Sequence, residues 1–305
     1  MTLPPLKYLV LGFFLLPIIY VHFRGHARLK FLRQLTDHSA FLAPYNVLVY
    51  LFSSAPDQPL FDTRDFPELS NLRNNWQTIR DEALALSSEG HIRTATGHND
   101  AGFNSFFKEG WRRFYLTWYG ESIPSAESLC PKTVALLKAT PGVKSAMFAL
   151  LPPGGKLNPH RDPFAGSLRY HLGLVTPNSP DCNIHVDGEK YYWRDGEDIM
   201  FDETYVHWAE NKTDVTRIIL FCDIERPLKT GLMRSLNRFI ARQLGKATVT
   251  QNFEGERVGA LNKFFAFFHQ LDEWRKQFKQ FSRNGYRATK LFLLILIVYV
   301  YVILA

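Results

Sequence analysis

The stretch NIHVDGEKYYWRDGEDIMFD, residues 183–202, decides the fold class. Its Asp187-Gly188 pair lies between two β-rich runs, and this dipeptide favours the two-residue turn of a β-hairpin. Similar runs recur along the chain between glycine and proline turns: RRFYLTWYG at 112–120, KSAMFALLPPGG at 144–155, SLRYHLGLVTP at 167–177 and VTRIILFCDI at 215–224. Short strands of this kind predict a mainly β sandwich or barrel. A helical period over residues 72–86 predicts a helical flank on its N-terminal side.

The composition allows one domain of ordinary size with additional segments, since the chain has 305 residues of which 46% are hydrophobic. Cys130, Cys182 and Cys222 are odd in number and scattered, which argues against a disulfide framework and fits a reducing compartment. Residues 225–290 carry 14 Lys/Arg and 5 Asp/Glu, whereas the net charge of the whole chain is +7. Such a basic region serves either nucleic acid or an anionic membrane surface.

Hydrophobic segments at both ends favour the membrane. Residues 3–23 contain one charge, Lys7, and are long enough for a spanning helix of about 20 residues. The cations that follow place the C-terminal flank of this anchor in the cytoplasm: Arg24, Arg28, Lys30 and Arg33. Residues 291–305 carry no charge, but a helix of this length extends only about 22 Å, so it either spans a thinned bilayer or only enters it. Residues 40–53 are apolar, and we interpret them as interfacial or as domain packing.

The basic region contains two predicted amphipathic helices. Their apolar stripes are Leu232, Leu236, Phe239 and Ile240 in the first helix, and Phe264, Phe267, Leu271, Trp274, Phe278 and Phe281 in the second. Cations lie beside both stripes, and this arrangement is typical of a helix in an anionic membrane interface. The alternative is a helix packed on the β-domain. We therefore expect a membrane partner and no nucleic acid.

A candidate metal site lies in LNPHRDPFAGSLRYHLGLV, residues 157–175. His160-x-Asp162 has the spacing of two ligands of a non-haem iron site, and Pro159 and Pro163 stiffen the backbone around it. The alternative for Asp162 is an acid paired with a neighbouring arginine, Arg161 or Arg169.

Two other His-x-Asp pairs need no metal. His98-x-Asp100 lies in a loop rich in Gly, Asn and Asp with no strand after it. His185-x-Asp187 lies at the hairpin turn, where an aspartate is favoured.

The strands that follow supply further candidates. Strand alternation places Arg169 and His171 on one face. His207 follows the hairpin, and Arg217 opens the next strand. Two histidines and one carboxylate leave three cis positions open on Fe(II), and an arginine nearby suits a bidentate pair with a dicarboxylate. Iron, a chelating 2-oxo acid and oxygen would fill this arrangement.

These motifs, PGGKLNPHRDPFAGSLRYHLGLVTP (153–177) and GEDIMFDETYVHWAENKTDVTRIILFCDI (196–224), resemble the aspartyl/asparaginyl β-hydroxylase family of Fe(II)/2-oxoglutarate dioxygenases. The resemblance implies a double-stranded β-helix, a jelly-roll or cupin-like core, that uses Fe(II), 2-oxoglutarate and O2. The segment YVHFRGHARLKFLRQLTDHS (20–39) and the hydrophobic C-terminus are similar to the bacterial lipid A 2-hydroxylase branch of that family, which hydroxylates a secondary acyl chain next to its carbonyl.

The resemblance also implies residue roles. His160 and His207 match the iron-binding histidines of the family. Arg217 matches the arginine that holds the distal carboxylate of 2-oxoglutarate, and His171 matches the histidine that contacts the same cosubstrate. Arg169 corresponds to an arginine that faces the peptide substrate in the protein hydroxylases, so for a lipid its role is open, and we group it with the cofactor-binding residues.

The chain departs from the protein hydroxylases at two positions. They have Gly where this chain has Asp162, which we expect to complete the metal site as a catalytic residue beside the two histidines. They also have a cosubstrate-contacting Ser where this chain has Ala149. Trp193, Trp208 and Tyr192 either line an acyl slot or belong to the core.

The resemblance predicts an enzyme, a 2-oxoglutarate-dependent dioxygenase that hydroxylates the 2-position of a secondary fatty acyl chain of lipid A. We expect it at the bacterial inner membrane with its catalytic domain in the cytoplasm, where 2-oxoglutarate and Fe(II) are available. The alternatives are a membrane-anchored hydroxylase of Asp/Asn in proteins and a non-catalytic membrane scaffold. The predicted segments are an anchor (1–24), a juxtamembrane and interfacial segment (25–55), the dioxygenase domain (56–227), basic amphipathic helices (228–290) and a hydrophobic membrane segment (291–305).

Overall fold

A computed structural model describes residues 6–36, 38–95, 99–282, 285 and 289. The strands within these residues are β1 Leu60–Phe61, β2 Arg112–Trp118, β3 Val143–Leu151, β4 Lys156–His160, β5 Ser167–Val175, β6 Cys182–Val186, β7 Glu189–Tyr192, β8 Asp198–Phe201, β9 His207–Asn211 and β10 Arg217–Glu225. The helices are α1 Leu6–Phe23, α2 Phe31–Thr36, α3 His38–Phe41, α4 Ala43–Phe52, α5 Ser70–Asn74, α6 Trp76–Ser88, α7 Asn104–Phe107, α8 Pro124–Leu129, α9 Pro131–Ala139, α10 Gly231–Thr248 and α11 Ala260–Phe281, with 3-10 turns at Thr63–Asp65 and Pro67–Leu69.

Two antiparallel sheets form the centre of the molecule. The larger sheet has the order β1-β8-β5-β10-β3-β2, and the smaller sheet has the order β4-β9-β6-β7. From β3 to β10 the chain divides eight strands equally between the two sheets, as in a jelly roll. This topology confirms the predicted mainly β fold with a jelly-roll core and helical flanks.

The predicted hairpin at Asp187-Gly188 forms between β6 and β7. Val186 pairs with Glu189 across the turn, so two residues connect β6 and β7. Asp187 and Gly188 have φ angles of 54° and 95°, the left-handed conformation that a two-residue hairpin turn requires. The carboxylate of Asp187 also accepts hydrogen bonds from the backbone N–H groups of His26 and Ala27, both at 2.7 Å. The turn therefore also binds the segment that follows α1.

The larger sheet is buried on both faces. On β5, residues from Ser167 to Leu174 are all buried, because one face looks toward the smaller sheet and the other packs on α6. The helical period at 72–86 supplies this packing through Ile79, Ala83 and Leu86, all of which are buried. The helix breaks at Asn75, between α5 and α6.

The N-terminal segment differs from its prediction. No helix within the described residues is both long enough and apolar enough to cross a bilayer, so the spanning segment predicted at 3–23 is not supported. Residues 291–305 lie outside the described residues. Arg24, predicted as a charge flanking an anchor, is instead buried and forms ion pairs with Asp57 at 2.6 Å and Asp202 at 2.7 Å. Two carboxylates offset the cost of burying this charge, which fixes the end of α1 to the β-domain.

The flanking helices expose their apolar side chains. α1 packs on α4, α4 on α10 and α10 on α11. α10 contacts the domain through Met233, Asn237, Ala241 and Gly245, whereas the predicted stripe residues Leu232 and Phe239 are 80% and 62% exposed. The stripe of α11 is also exposed. Part of residues 40–53 packs on the rest of the protein, since α4 buries one face, while Leu48, Leu51 and Phe52 are exposed. The interfacial interpretation of this segment stays a prediction.

Candidate active site

Three predicted ligands meet at the edge of the smaller sheet. His160 ends β4, His207 begins β9, and the two are direct partners in the register. Their ring centroids are 4.2 Å apart, and Asp162 Oδ1 lies 3.7 Å from His160 Nε2. One nitrogen of each imidazole and one carboxylate oxygen all lie within 4.8 Å of one another. This donor set suits a divalent transition metal with open positions.

Backbone carbonyls orient both imidazoles. His160 Nδ1 lies 2.7 Å from the carbonyl oxygen of Asn158, and His207 Nδ1 lies 3.0 Å from that of Tyr205. A carbonyl only accepts hydrogen bonds, so each Nδ1 carries the proton and each Nε2 keeps its lone pair for a metal. Burial and the neighbouring His160 lower the pKa of His207 to about 3, which keeps the ring neutral at pH 7.

Arg217 and His171 lie on the wall of the same cavity and belong to the larger sheet. Arg217 is buried, and its Nε has no hydrogen-bond partner among the described residues. Burial lowers its pKa to about 10, so the guanidinium stays charged at pH 7, 4.3 Å from the centroid of the Trp193 ring. Neither ring nitrogen of His171 has a partner among those residues, and burial, followed by the charges of Arg169 and Arg217, lowers its pKa well below 6.5.

These unpartnered groups fit an anionic cosubstrate. A buried cation without a carboxylate is costly, and a bound dicarboxylate would compensate it. Ala149 also lines the cavity and offers no hydroxyl there. The residues present thus fit a metal on one wall and a 2-oxo diacid on the other.

Arg169 points into the same cavity as His171, as strand alternation predicts, but its charge is already compensated. Its guanidinium forms ion pairs with Asp162 and Asp223, each at 2.8 Å, and with Glu203. Burial disfavours the charge of Arg169, but the three carboxylates outweigh this effect and raise its pKa. Arg169 lines the cavity, and its grouping with the cofactor-binding residues stays a prediction. Asp162 pairs with Arg169, as the alternative interpretation predicts, and it also lies beside His160, so its role as a metal ligand stays a prediction.

Several residues in and behind the cavity wall were not identified from the sequence. Glu203 and Asp223 are buried acids behind the wall that form ion pairs with the lining residue Arg169. Apolar side chains form much of the rest of the wall: Phe103, Phe106, Trp111, Leu157, Ile184, Trp193, Phe201, Trp208, Ile219 and Phe221. Trp193 and Trp208 thus belong to the cavity, whereas Tyr192 is absent from its lining. Strand alternation could have identified Asp223, because it lies an even number of residues after Arg217 on β10 and therefore on the same face.

The described residues of the other two His-x-Asp pairs are not part of the ligand cluster. His185 stacks on Trp208 with a centroid distance of 4.7 Å, and Asp187 serves the turn. His98 lies outside the described residues. Asp100 forms a buried ion pair with Arg113 at 2.9 Å.

Comparison with known proteins identifies the family of this chain. A family model described as Aspartyl/Asparaginyl beta-hydroxylase matches residues 73–227, about half of the chain. The ornithine lipid ester-linked acyl 2-hydroxylase of Rhizobium tropici is 33% identical over 181 residues, 59% of this chain and 64% of that protein. The aspartyl/asparaginyl beta-hydroxylase of Mus musculus is 29% identical over 221 residues, 70% of this chain and 27% of that protein.

The chain therefore spans less than two thirds of the length of either relative. Among solved structures, a Pseudomonas putida prolyl-4-hydroxylase is similar with a TM-score of 0.35 and 17% identity, over 50% of this chain and 88% of that one. The match to the family model includes all of the candidate ligands and both cavity walls. The chain belongs to the aspartyl/asparaginyl beta-hydroxylase family.

Proposed function

We propose that this protein is an Fe(II)- and 2-oxoglutarate-dependent dioxygenase that hydroxylates a fatty acyl chain of a membrane lipid. The observation that carries the proposal is the pairing of a His-Asp-His cluster on one wall with an unpartnered buried arginine on the other. His160, Asp162 and His207 would hold the iron, and Arg217 and His171 would bind the cosubstrate. Bound there, iron, 2-oxoglutarate and O2 would supply the oxidation of an unactivated C–H bond, with succinate and CO2 as coproducts.

The charges of the cavity favour a neutral substrate. Among the described residues that line it, Arg217 is the one arginine without a carboxylate partner, and the cosubstrate would take it. Arg169 has three carboxylates around it and offers no free charge to the carboxylate of an aspartyl side chain. The remaining wall is largely aromatic and aliphatic, which suits an acyl chain and excludes water from the reacting carbon.

The distribution of exposed apolar side chains favours a membrane-bound substrate. Within the described residues, only Leu84, Leu129 and Val215 among the exposed large apolar side chains lie in the segment 56–227. The others lie on α1, α2, α3, α4, α10 and α11. Exposed apolar side chains concentrated on helices that pack on one another favour an interaction site, and the cations of α10 and α11 add attraction to anionic lipid.

We further propose that the lipid is lipid A, modified at the 2-position of a secondary acyl chain, at the cytoplasmic face of a bacterial inner membrane. The name of the Rhizobium tropici relative supports acyl 2-hydroxylation, although its lipid is an ornithine lipid. Supply of 2-oxoglutarate and Fe(II) supports the cytoplasmic location. The name of the mouse relative supports the second candidate, a hydroxylase of Asp/Asn in proteins. A non-catalytic scaffold would have no use for the converging ligands.

The test is mass spectrometry of the lipids of a bacterial host that lacks the activity, with and without this gene. We expect one added oxygen on an acyl chain of lipid A, its loss in His207→Ala, and its retention in His91→Ala, a partly exposed histidine that pairs with Glu89. An oxidised ornithine lipid with unchanged lipid A would show that the substrate is the ornithine lipid and not lipid A. Unchanged lipids together with a hydroxylated Asp or Asn in a protein would overturn the proposal in favour of the second candidate.

Membrane attachment has its own test, co-sedimentation of the purified protein with vesicles that contain anionic phospholipid. We expect Phe267→Ser on α11 to weaken binding, because it removes an exposed apolar side chain from the proposed interface. Leu84→Ser is the matched control, since Leu84 is comparably exposed on α6, within the segment 56–227. Equal binding by the two variants would contradict this attachment surface.

A further inference from the structure

Asp162 lies outside the regular strands. It follows β4, and its backbone N–H donates to the carbonyl of Glu203 at 2.9 Å. Its side chain is 21% exposed, more than that of His160 at 11%. A carboxylate that is to serve as a metal ligand from such a position needs a side-chain partner that fixes its orientation.

Arg169 is placed to provide this orientation. Its Nη2 donates to Asp162 Oδ2 at 2.8 Å, while Asp162 Oδ1 faces His160 Nε2 at 3.7 Å. The two oxygens of the carboxylate are thus divided between the arginine and the candidate metal position. A carboxylate held in this way presents one oxygen as a ligand.

Arg169 is itself fixed from behind. Its Nε donates to Asp223 Oδ1 at 2.8 Å, Glu203 pairs with the same guanidinium, and the group lies 3.7 Å from the centroid of the Phe221 ring. Arg169, Asp223 and Glu203 are all buried. A planar guanidinium presents five N–H donors in a rigid arrangement spread over three nitrogens, whereas an ammonium group presents three donors from a single nitrogen.

A further group of side chains holds Asp223 in place. Asp223 Oδ2 accepts hydrogen bonds from the hydroxyls of Ser145 at 2.6 Å and Tyr119 at 2.9 Å. Tyr119 has a φ of 46°, an uncommon conformation for a residue with a side chain. α10 packs tightly against it, since a Cβ at Gly245 would lie only 2.3 Å from Tyr119 Cβ. The network therefore runs from Asp162 to a helix on the surface.

We propose that Arg169 is a positioning residue that fixes Asp162 as a one-oxygen metal ligand, and that Asp223, Glu203, Ser145 and Tyr119 hold Arg169 in place for this purpose. This inference rests on the proposed metal site and deepens it. It differs from the role that the resemblance leaves open for Arg169, contact with the substrate or cosubstrate.

The test measures metal and cosubstrate binding separately, without any lipid. Co(II) is titrated into the metal-free protein under anaerobic conditions, its visible absorption spectrum is recorded, and 2-oxoglutarate is then titrated into the Co(II)-loaded protein. Arg169→Lys keeps the positive charge but removes the planar array of guanidinium N–H donors. For this variant we expect Co(II) affinity to fall by roughly 10- to 100-fold with an altered spectrum. We expect the 2-oxoglutarate affinity of the loaded protein to stay within about threefold, below the effect of a lost charge pair. Unchanged Co(II) affinity with weakened 2-oxoglutarate binding would overturn the proposal.

A second variant covers the case in which Arg169→Lys fails to fold. The double variant Tyr119→Phe/Ser145→Ala removes both donors to Asp223 Oδ2 and leaves every charge in place. We expect weaker Co(II) binding than in the parent, though a smaller loss than for Arg169→Lys. The matched control is Tyr115→Phe, because the Tyr115 hydroxyl donates to buried Asp100 at 3.2 Å, an acid paired with Arg113 outside the network. Co(II) binding equal in the folded double variant and the control would overturn the extended network.

A failure of the proposed function is distinguishable from a failure of this inference. If the parent protein binds no Co(II) at the histidines, the metal site itself is wrong and both proposals fall. If Co(II) binds with the expected dependence on Arg169 while no lipid is oxidised, the positioning role stands and the substrate is wrong.

Discussion

The two sheets contribute different chemistry to one cavity and hold it by different means. The smaller sheet supplies His160 and His207, each oriented by a carbonyl only two residues away. The larger sheet supplies Arg217 and His171, whose cavity-facing nitrogens include several without a partner among the described residues. The metal wall, His160 and His207 with Asp162, is therefore oriented by groups of the protein itself, with Arg169 of the larger sheet holding Asp162. The anion wall, Arg217 and His171, is completed only by a ligand. We infer that the metal wall forms on folding and that the anion wall gains stability from the cosubstrate.

The largest expected effect is on the metal wall alone. His160→Ala or His207→Ala removes one of three donors, and we expect binding of Fe(II) or Co(II) and hydroxylation to be lost together. Isothermal titration with Co(II) measures the first and lipid mass spectrometry the second. His185→Ala is the control, because it alters a histidine with the same His-x-Asp spacing on the same sheet, outside the cluster. Metal bound equally by His207→Ala and His185→Ala would refute the site.

The next effect separates the two walls. Arg217→Gln removes the buried charge, and we expect it to weaken 2-oxoglutarate binding by about 2–5 kcal/mol, the usual effect of truncating one partner of a buried charge pair. Co(II) affinity should stay unchanged, because Arg217 contacts none of the three candidate ligands. Titration of the Co(II)-loaded variant with 2-oxoglutarate provides the measurement. Equal losses of metal and cosubstrate affinity would show that the two walls are not independent.

This difference between the walls also explains which parts were predictable from the sequence. The metal wall has local signals: the His160-x-Asp162 spacing between two prolines, and a hairpin turn at Asp187-Gly188. Strand alternation placed His171 beside Arg169 on one face. The resemblance supplied the roles of His207 and Arg217, which spacing alone does not assign.

The missed features depend on contacts between distant residues. Asp223 opposes Arg169 only because β10 pairs with β5 in one particular register. Glu203 joins the same cluster from the turn between β8 and β9, where no strand or helix periodicity predicts the direction of a side chain. Arg24 follows an apolar helix, so its local sequence indicates a membrane flank, while its burial depends on Asp202, 178 residues away. Local patterns do not contain these pairings.

A third prediction concerns a property that the two walls share. His207 on the smaller sheet has a pKa of about 3 and His171 on the larger sheet has a pKa well below 6.5, in both cases chiefly because of burial. In the unfolded chain both would titrate near pH 6.5, so as the pH falls the unfolded state takes up protons that the folded state does not. His207 should therefore lower the free energy of unfolding by about 2 kcal/mol between pH 8 and pH 5, and His171 should lower it in the same direction.

Urea denaturation of the metal-free protein at several pH values measures this effect. His171→Phe should show a flatter loss of stability toward low pH, because Phe binds no proton in either state. His91→Ala is again the control, since its side chain is partly exposed. The same pH dependence in parent and His171→Phe would contradict a neutral, buried His171.

The smallest expected effect is on the turn of the smaller sheet. Gly188 has a φ of 95°, and a Cβ there would meet no atom within 4 Å, so the cost of Gly188→Ala is conformational. We expect a loss of about 1 kcal/mol in the free energy of unfolding, the usual penalty for a side chain in the left-handed region. Gly102→Ala is the matched control, because it also has open space but no positive φ. His207 pairs with Val186, the residue before the turn, but the two imidazoles are oriented by the carbonyls of Asn158 and Tyr205, which lie outside the turn. We therefore expect Co(II) affinity to be unchanged while stability falls. A loss of metal affinity in Gly188→Ala would show that the position of His207 depends on the conformation of the turn beside it.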